Sequence, residues 1–184
     1  MKSIKQILNN LEQKSIDDML DKFQNNKISI FSKGYFEKVL KENNINDSNV
    51  ESFENYTFIS ILNTDDVGDN IGHFKENHSN VIVLKFDDIS EDLEFKPGKY
   101  AKVINEEQAN ELINFITKNE DRIKNGNSII HCSAGVSRSG AVGTFINDYF
   151  NFDYKKFKEN NPNIQPNPEV LRILKKLTIY KNYK

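Results

Sequence analysis

The chain has 184 residues, 37% of them hydrophobic, with a formal net charge of -2 and a pI near 6.0. That apolar content supports one buried core and little of a second, and the acidic balance leaves no basic footprint for nucleic acid. A single cysteine excludes an internal disulfide framework, and with no long apolar run, secretory h-region or Arg-rich transit start, the sequence reads as cytoplasmic with no membrane partner.

In chain order, Ile4, Ile7, Leu8 and Leu11 repeat at helical spacing, and Ser15 with Asp18 opens a second helical stretch through Ile16, Met19, Leu20 and Phe23. Residues 1–25 therefore read as an N-terminal helical extension, and 26–184 as the main domain. Ile28 to Phe31 alternates like a strand, and Lys33 to Lys41 reads as a short helix with Tyr35, Phe36, Val39 and Leu40 on its apolar side. Thr57 to Leu62 and Val81 to Leu84 are β-branched runs of buried-strand length, separated by a polar loop. In that loop His73 and His78 lack ligand spacing, and Asp65, Asp66 and Asp69 are followed by no bidentate Glu at the EF-hand distance, so neither group reads as a metal site.

Glu91, Asp92 and Glu94 give the next segment the character of an acidic, solvated loop. Asn105 with Gln108 predicts a cap for one long helix carrying Ala109, Leu112, Ile113, Ile116 and Ile123 inward, ended by Asn125-Gly126. A strand from Ser128 to His131 follows, then a helix with Ala141, Val142, Phe145, Ile146 and Tyr149. The last helix has Asn167 as its N-cap, Pro168 in its first turn, and Val170, Leu171, Leu174 and Leu177 as its apolar face. Strands alternating with helices predict an α/β fold with a central, mainly parallel sheet flanked by helices.

Between the last strand and its helix lies Ile129-Ile130-His131-Cys132-Ser133-Ala134-Gly135-Val136-Ser137-Arg138-Ser139-Gly140. A strand turning tightly into a helix can wrap an oxyanion in consecutive backbone N–H groups, with the helix N-terminus adding positive charge. Arg138 supplies a planar guanidinium able to give phosphate two parallel hydrogen bonds. Cys132 would sit at the floor of the cradle, where such surroundings lower a thiol pKa from about 8.5 to roughly 3.5–7.5. A lone cysteine is more often a buried structural thiol, but that reading leaves His, Gly, Arg and Ser in register unexplained.

The run His-Cys-x-x-Gly-x-x-Arg-Ser, here His131 to Ser139, resembles the phosphate-binding loop of the cysteine-dependent protein tyrosine phosphatase superfamily, and Ser137 before the arginine is closer to its dual-specificity type. Phe58 to Ile61, Phe86-Asp87-Asp88-Ile89 and Asn161 to Asn167 extend the resemblance to small bacterial-type tyrosine phosphatases, over residues 28 to 178. It implies a phosphatase fold, with 26–184 as catalytic domain, Cys132 as nucleophile, and the backbone of Ser133, Ala134, Gly135, Val136 and Ser137 binding phosphate with Arg138. It further implies that Ser139 helps the thiolate depart, that His131 orients the loop from behind, and that neither metal nor cofactor takes part. The acid that protonates the leaving group maps to Asp88 after the Val81 strand, with Asp87 as the alternative. For Asn167, support of the active-site loops and simple helix capping stand as equal readings.

Asn161 stands where the family usually has arginine, which puts an accessory anion contact there in doubt. The neutral loop positions favour a substrate with a single phosphate, and the chain has no tryptophan for a Trp-Pro-Asp acid loop. The implied substrate is a phosphorylated protein or peptide, phosphotyrosine first, with phosphoserine and phosphothreonine as further candidates. The alternatives are a phosphoprotein-binding pseudo-enzyme, an interaction module docking through residues 1–25, and rhodanese-like sulfur transfer, which Arg138 and Ser139 disfavour.

Overall fold

Four apolar segments set the architecture: β1 (Ile28–Ser32), β2 (Tyr56–Leu62), β3 (Val81–Lys85) and β6 (Asn127–Cys132). They form one sheet in the order β1-β6-β2-β3, with every neighbouring pair parallel. The two central strands are buried at every position, as both faces of a parallel sheet require. The structure is a computed structural model that describes residues 26–66 and 74–182, with side chains described to residue 179; the helices expected in 1–25, together with Asp69 and His73, lie outside the described residues.

Side-chain alternation along the strands sorts the core into two layers. Ile59, Ile61, Ile82, Leu84, Ile130 and Cys132 face one layer, shared with α2 (Glu106–Lys118), α4 (Arg138–Tyr149) and α6 (Pro168–Asn182). Phe58, Val81 and Ile129 face the other, where Phe36, Val39 and Leu40 of α1 (Lys33–Glu42) pack with Phe74 and Val50. Helix α4 is buried along its first ten residues because it lies between the sheet and α6. Among the described residues, no helix is long and apolar enough to cross a membrane.

The α/β fold with a parallel central sheet agrees with the sequence reading, and three local elements differ from it. The helix expected to run through Ile123 is two helices: Asn119 ends α2 and opens α3 (Glu120–Asn125), its amide donating to Ser79 O and Phe115 O at 3.1 Å each. A side chain tied to a loop 40 residues away breaks the helix at a point no local propensity marks. The acidic segment forms an antiparallel hairpin, β4 (Leu93–Lys96) and β5 (Lys99–Ala101), turned by Gly98 at φ +74°. Its strands are largely exposed and so lack the alternation that reveals a strand in sequence. Helix α5 (Tyr154–Asn160) was also not apparent, although Asp153 caps it by accepting from Lys155 N and Lys156 N at 2.9 and 3.1 Å.

All four parallel strands end at the same edge of the sheet, so the segments following Ser32, Leu62, Lys85 and Cys132 meet there. In open α/β sheets this carboxyl edge is where ligands bind.

Candidate active site

Cys132 is the last residue of β6 and Arg138 the first of α4, so Ser133 to Ser137 form the loop joining them. The loop's carbonyls are taken up from outside. Lys33 N donates to Ser133 O at 3.2 Å, Gln165 N to Val136 O at 3.1 Å and Asn167 N to Ser137 O at 3.1 Å. With these oxygens turned outward, the N–H groups of Gly135, Val136 and Ser139 are directed at the Cys132 sulfur.

Gly135 makes that curvature possible. Its φ is +71°, and a Cβ there would lie 2.4 Å from both Phe31 C and Ser32 N. A left-handed non-glycine residue costs roughly 1–2 kcal/mol before any clash, and backbone atoms of β1 cannot yield as a flexible side chain can. Gly135→Ala is therefore expected to lower stability by about 2 kcal/mol or more, read as a drop in the urea midpoint, and to weaken anion binding. A variant as stable as the parent would mean that the loop relaxes freely.

Burial pushes the Cys132 thiol up, but hydrogen bonds outweigh it and hold the pKa below the ordinary value. They come from the Ser139 hydroxyl, with Sγ···Oγ at 3.1 Å, and from the three backbone N–H groups. Such donors favour the charged form of a thiol.

Arg138 is 3% exposed and tied across the carboxyl edge of the sheet. Its Nη1 donates to Leu62 O at 3.2 Å and to Phe86 O at 2.7 Å, and its Nη2 donates to Ser133 Oγ at 2.8 Å. Nε is buried and has no hydrogen-bond partner among the described residues. A buried donor without an acceptor is costly, and here it belongs to the one guanidinium at the phosphate loop. Ser133 Oγ in turn donates to Asn63 Oδ1 at 3.3 Å. His131 is fully buried, and strand alternation places it on the α1 side of the sheet, where its ring stacks on Phe36 at 4.1 Å.

The two aspartates have different surroundings. Asp87 accepts from Thr64 N at 3.2 Å, Thr64 Oγ1 at 2.5 Å and Lys102 N at 2.8 Å. Burial raises its pKa, but these hydrogen bonds and the nearby Arg138 charge together hold it below the ordinary carboxylate value. Asp88 is exposed and leans on the phosphate loop: its Oδ1 accepts from Ser137 Oγ at 2.6 Å and from Asn167 Nδ2 at 2.8 Å.

Asn167 makes hydrogen bonds on two sides. Its Oδ1 accepts from Glu169 N and Val170 N at 3.0 and 3.1 Å as a helix cap, while its amide holds Asp88. Asn161 does something else: Oδ1 accepts from Ile30 N at 2.9 Å, and Nδ2 donates to Ile28 O and Phe157 O at 3.0 Å each. That amide clips the edge strand β1 to α5 and has no donor left for an anion. Thr64, Asn63 and Lys102 were not singled out from sequence, and no local signal marks them, because each meets its partner across at least 15 residues. His78 pairs with Asp47 at 2.9 Å, away from the phosphate loop. Among the described residues no group of three or more His, Cys, Asp or Glu could hold a metal ion.

No family model matches the chain, and no curated protein matches it in sequence. Solved structures of tyrosine and dual-specificity phosphatases match it over most of its length. Tk-PTP in its active form shares 16% identity, with 82% of this chain and 88% of that one covered and a TM-score of 0.44. The human tyrosine phosphatase-like serine/threonine/tyrosine-interacting protein shares 16% over 85% and 93%, with a TM-score of 0.45. Human DUSP28 shares 14% over 85% and 94%, with a TM-score of 0.46. These likenesses concern overall shape; what the site can do rests on its own geometry.

Proposed function

We propose that residues 26–184 form a cysteine-dependent phosphatase that hydrolyses phosphotyrosine in proteins or peptides through a cysteinyl-phosphate intermediate, with phosphoserine and phosphothreonine as further substrates to test. The observation carrying this reading is the Cys132 sulfur faced by the N–H groups of Gly135, Val136 and Ser139 and by the Ser139 hydroxyl at 3.1 Å, donors that favour its thiolate against burial. In the first step the Cys132 thiolate attacks phosphorus in line, the phosphorus–oxygen bond to the substrate breaks, and Asp88 gives its proton to the leaving oxygen. The loop N–H groups and Arg138 bind the equatorial oxygens, and Nε supplies a donor that has no partner among the described residues. In the second step Asp88, now a carboxylate, takes a proton from water as that water attacks phosphorus. The sulfur–phosphorus bond breaks, inorganic phosphate leaves, and the Ser139 hydroxyl stabilises the departing thiolate.

Asp88 suits the acid role better than Asp87, because a group held below the ordinary carboxylate value is a poor proton donor. Asp88→Ala is expected to lower kcat by about 10²–10⁴-fold on a poor leaving group, with a smaller loss on an activated aryl phosphate that needs no proton. Asp87→Ala should mainly cost stability, about 1–3 kcal/mol from three lost hydrogen bonds to a charge. That stabilisation is present above the unfolded carboxylate pKa and is lost as pH falls through the lower native one. Kinetics on the two leaving groups and urea melts of both variants decide between them; a larger kinetic loss in folded Asp87→Ala would reverse the assignment.

The test of the whole reading is turnover of matched phosphotyrosine, phosphoserine and phosphothreonine peptides. Cys132-dependent hydrolysis supports it. A folded protein that binds phosphopeptide without turnover would make the chain a binding module.

A further inference from the structure

A cleft of about 400 Å³ is lined by Ala134 to Val136 of the phosphate loop together with Phe31, Tyr35, Pro162 and Ile164. We infer that this cleft is a specificity subsite that takes an uncharged apolar or aromatic side chain adjacent to the phosphorylated residue of a peptide, and that it excludes a second phosphate. The inference rests on the phosphatase reading above and names the class of substrate that reading leaves open.

Continuity comes first, since Ala134, Gly135 and Val136 belong to the loop that would hold the phosphate and also line the cleft. A side chain next to a phosphoresidue held over Cys132 is thus within reach of it. Aromatic character follows from the end of β1 and the start of α1. Ser32 caps α1 by accepting from Tyr35 N at 3.4 Å, which sets the first turn so that Tyr35 meets Phe31 edge to face, with centroids 4.8 Å apart. Tyr35 remains 45% exposed in the free protein, and a large amphipathic ring held at low entropic cost is a typical anchor for a peptide side chain.

Charge decides what is excluded. Among the described residues, no Lys, Arg, His, Asp or Glu lines the cleft. Its polar lining is amide and hydroxyl, and the Asn161 amide is taken up by the β1 backbone and Phe157 O. A phosphate carrying about -1.5 to -2 charges needs positive partners when it leaves water, and none lines the cleft among the described residues.

The test measures kcat/KM for p-nitrophenyl phosphate and for phosphotyrosine peptides. The peptides carry leucine or phenylalanine, alanine, or a second phosphotyrosine immediately before or after the reacting residue. The apolar-flanked peptides should exceed the alanine peptide by about tenfold, through KM, and the doubly phosphorylated peptide should fall below it. Tyr35→Ala should remove the apolar preference and leave p-nitrophenyl phosphate unchanged. Asn163→Lys, at an exposed position of the lining, should raise kcat/KM for the doubly phosphorylated peptide by about tenfold. Equal kcat/KM for all peptides with intact p-nitrophenyl phosphate turnover overturns the inference. So does a uniform loss in Tyr35→Ala together with no shift in Asn163→Lys. Absence of p-nitrophenyl phosphate turnover by the parent protein overturns the phosphatase reading itself, and the subsite with it.

Discussion

Cys132→Ser will abolish turnover of a phosphotyrosine peptide, with a loss of about 10⁶-fold, the scale seen when a covalent nucleophile is removed, and the protein will stay folded. The physical reason is ionisation: a serine hydroxyl is not a nucleophile near neutral pH without a base to activate it. The environment of Cys132 offers hydrogen-bond donors that stabilise an anion already formed rather than a group that accepts a proton. The replacement is nearly isosteric and keeps a partner for Ser139, so the buried core loses little. Thermal melts establish the fold, and pre-steady-state kinetics with excess substrate should show no burst of the dephosphorylated leaving group.

The same substitution tests the lowered thiol pKa through stability. Between the native pKa and the unfolded value of about 8.5, the unfolded chain holds a proton that the native chain has released. The parent protein should therefore gain stability as pH rises through that interval and lose it as pH falls, and Cys132→Ser should lack this slope. Urea midpoints of the two proteins compared across that range measure it. Parallel curves would mean that the native thiol titrates normally.

Arg138→Lys should lower kcat/KM by about 10³-fold or more, the range in which a single arginine stabilises a phosphoryl transition state. It should also lower stability by about 1–3 kcal/mol. Both effects follow from geometry. Nη1 satisfies two backbone carbonyls at the ends of different strands while Nη2 holds the Ser133 hydroxyl and Nε stays unpartnered among the described residues. One ammonium cannot reproduce a planar fork that is tethered at one side and donates from the other. Leu62 O and Phe86 O would lose a donor inside the core, and the phosphate would lose a fixed partner. The checks are kcat/KM, the urea midpoint, and affinity for inorganic phosphate in the Cys132→Ser background. Retention of more than a tenth of parental activity would mean that the loop N–H groups carry the anion largely alone.

Much of this was legible in the chain because the physics involved is local. The β-branched runs at Thr57 and Val81 announce buried strands, Asn105 with Gln108 closes a reciprocal cap with bonds of 2.8 and 3.2 Å, and Asn167 caps the last helix. Each cap spans four residues and each run no more than six, so the pattern of residue types contains them. The Asn119 break and the β4–β5 hairpin were not legible. The break depends on a carbonyl 40 positions away, and the hairpin has no buried face to impose alternation.

By itself the sequence determined the chemistry on offer: one thiol, one arginine and a glycine placed at a strand-to-helix turn, all within seven residues of one another. Only the tertiary structure decided how neighbouring and distant groups divide the work. Asp87 and Asp88 are adjacent in the chain, yet one is fastened to Thr64 and Lys102 while the other leans on Ser137 and Asn167. Asn161 could have met an anion, and the packing of α5 on the edge strand gave its amide to the backbone. Such outcomes depend on which carbonyls and hydroxyls arrive at a side chain once the sheet has assembled, and that is set by contacts spanning 15 to 133 residues.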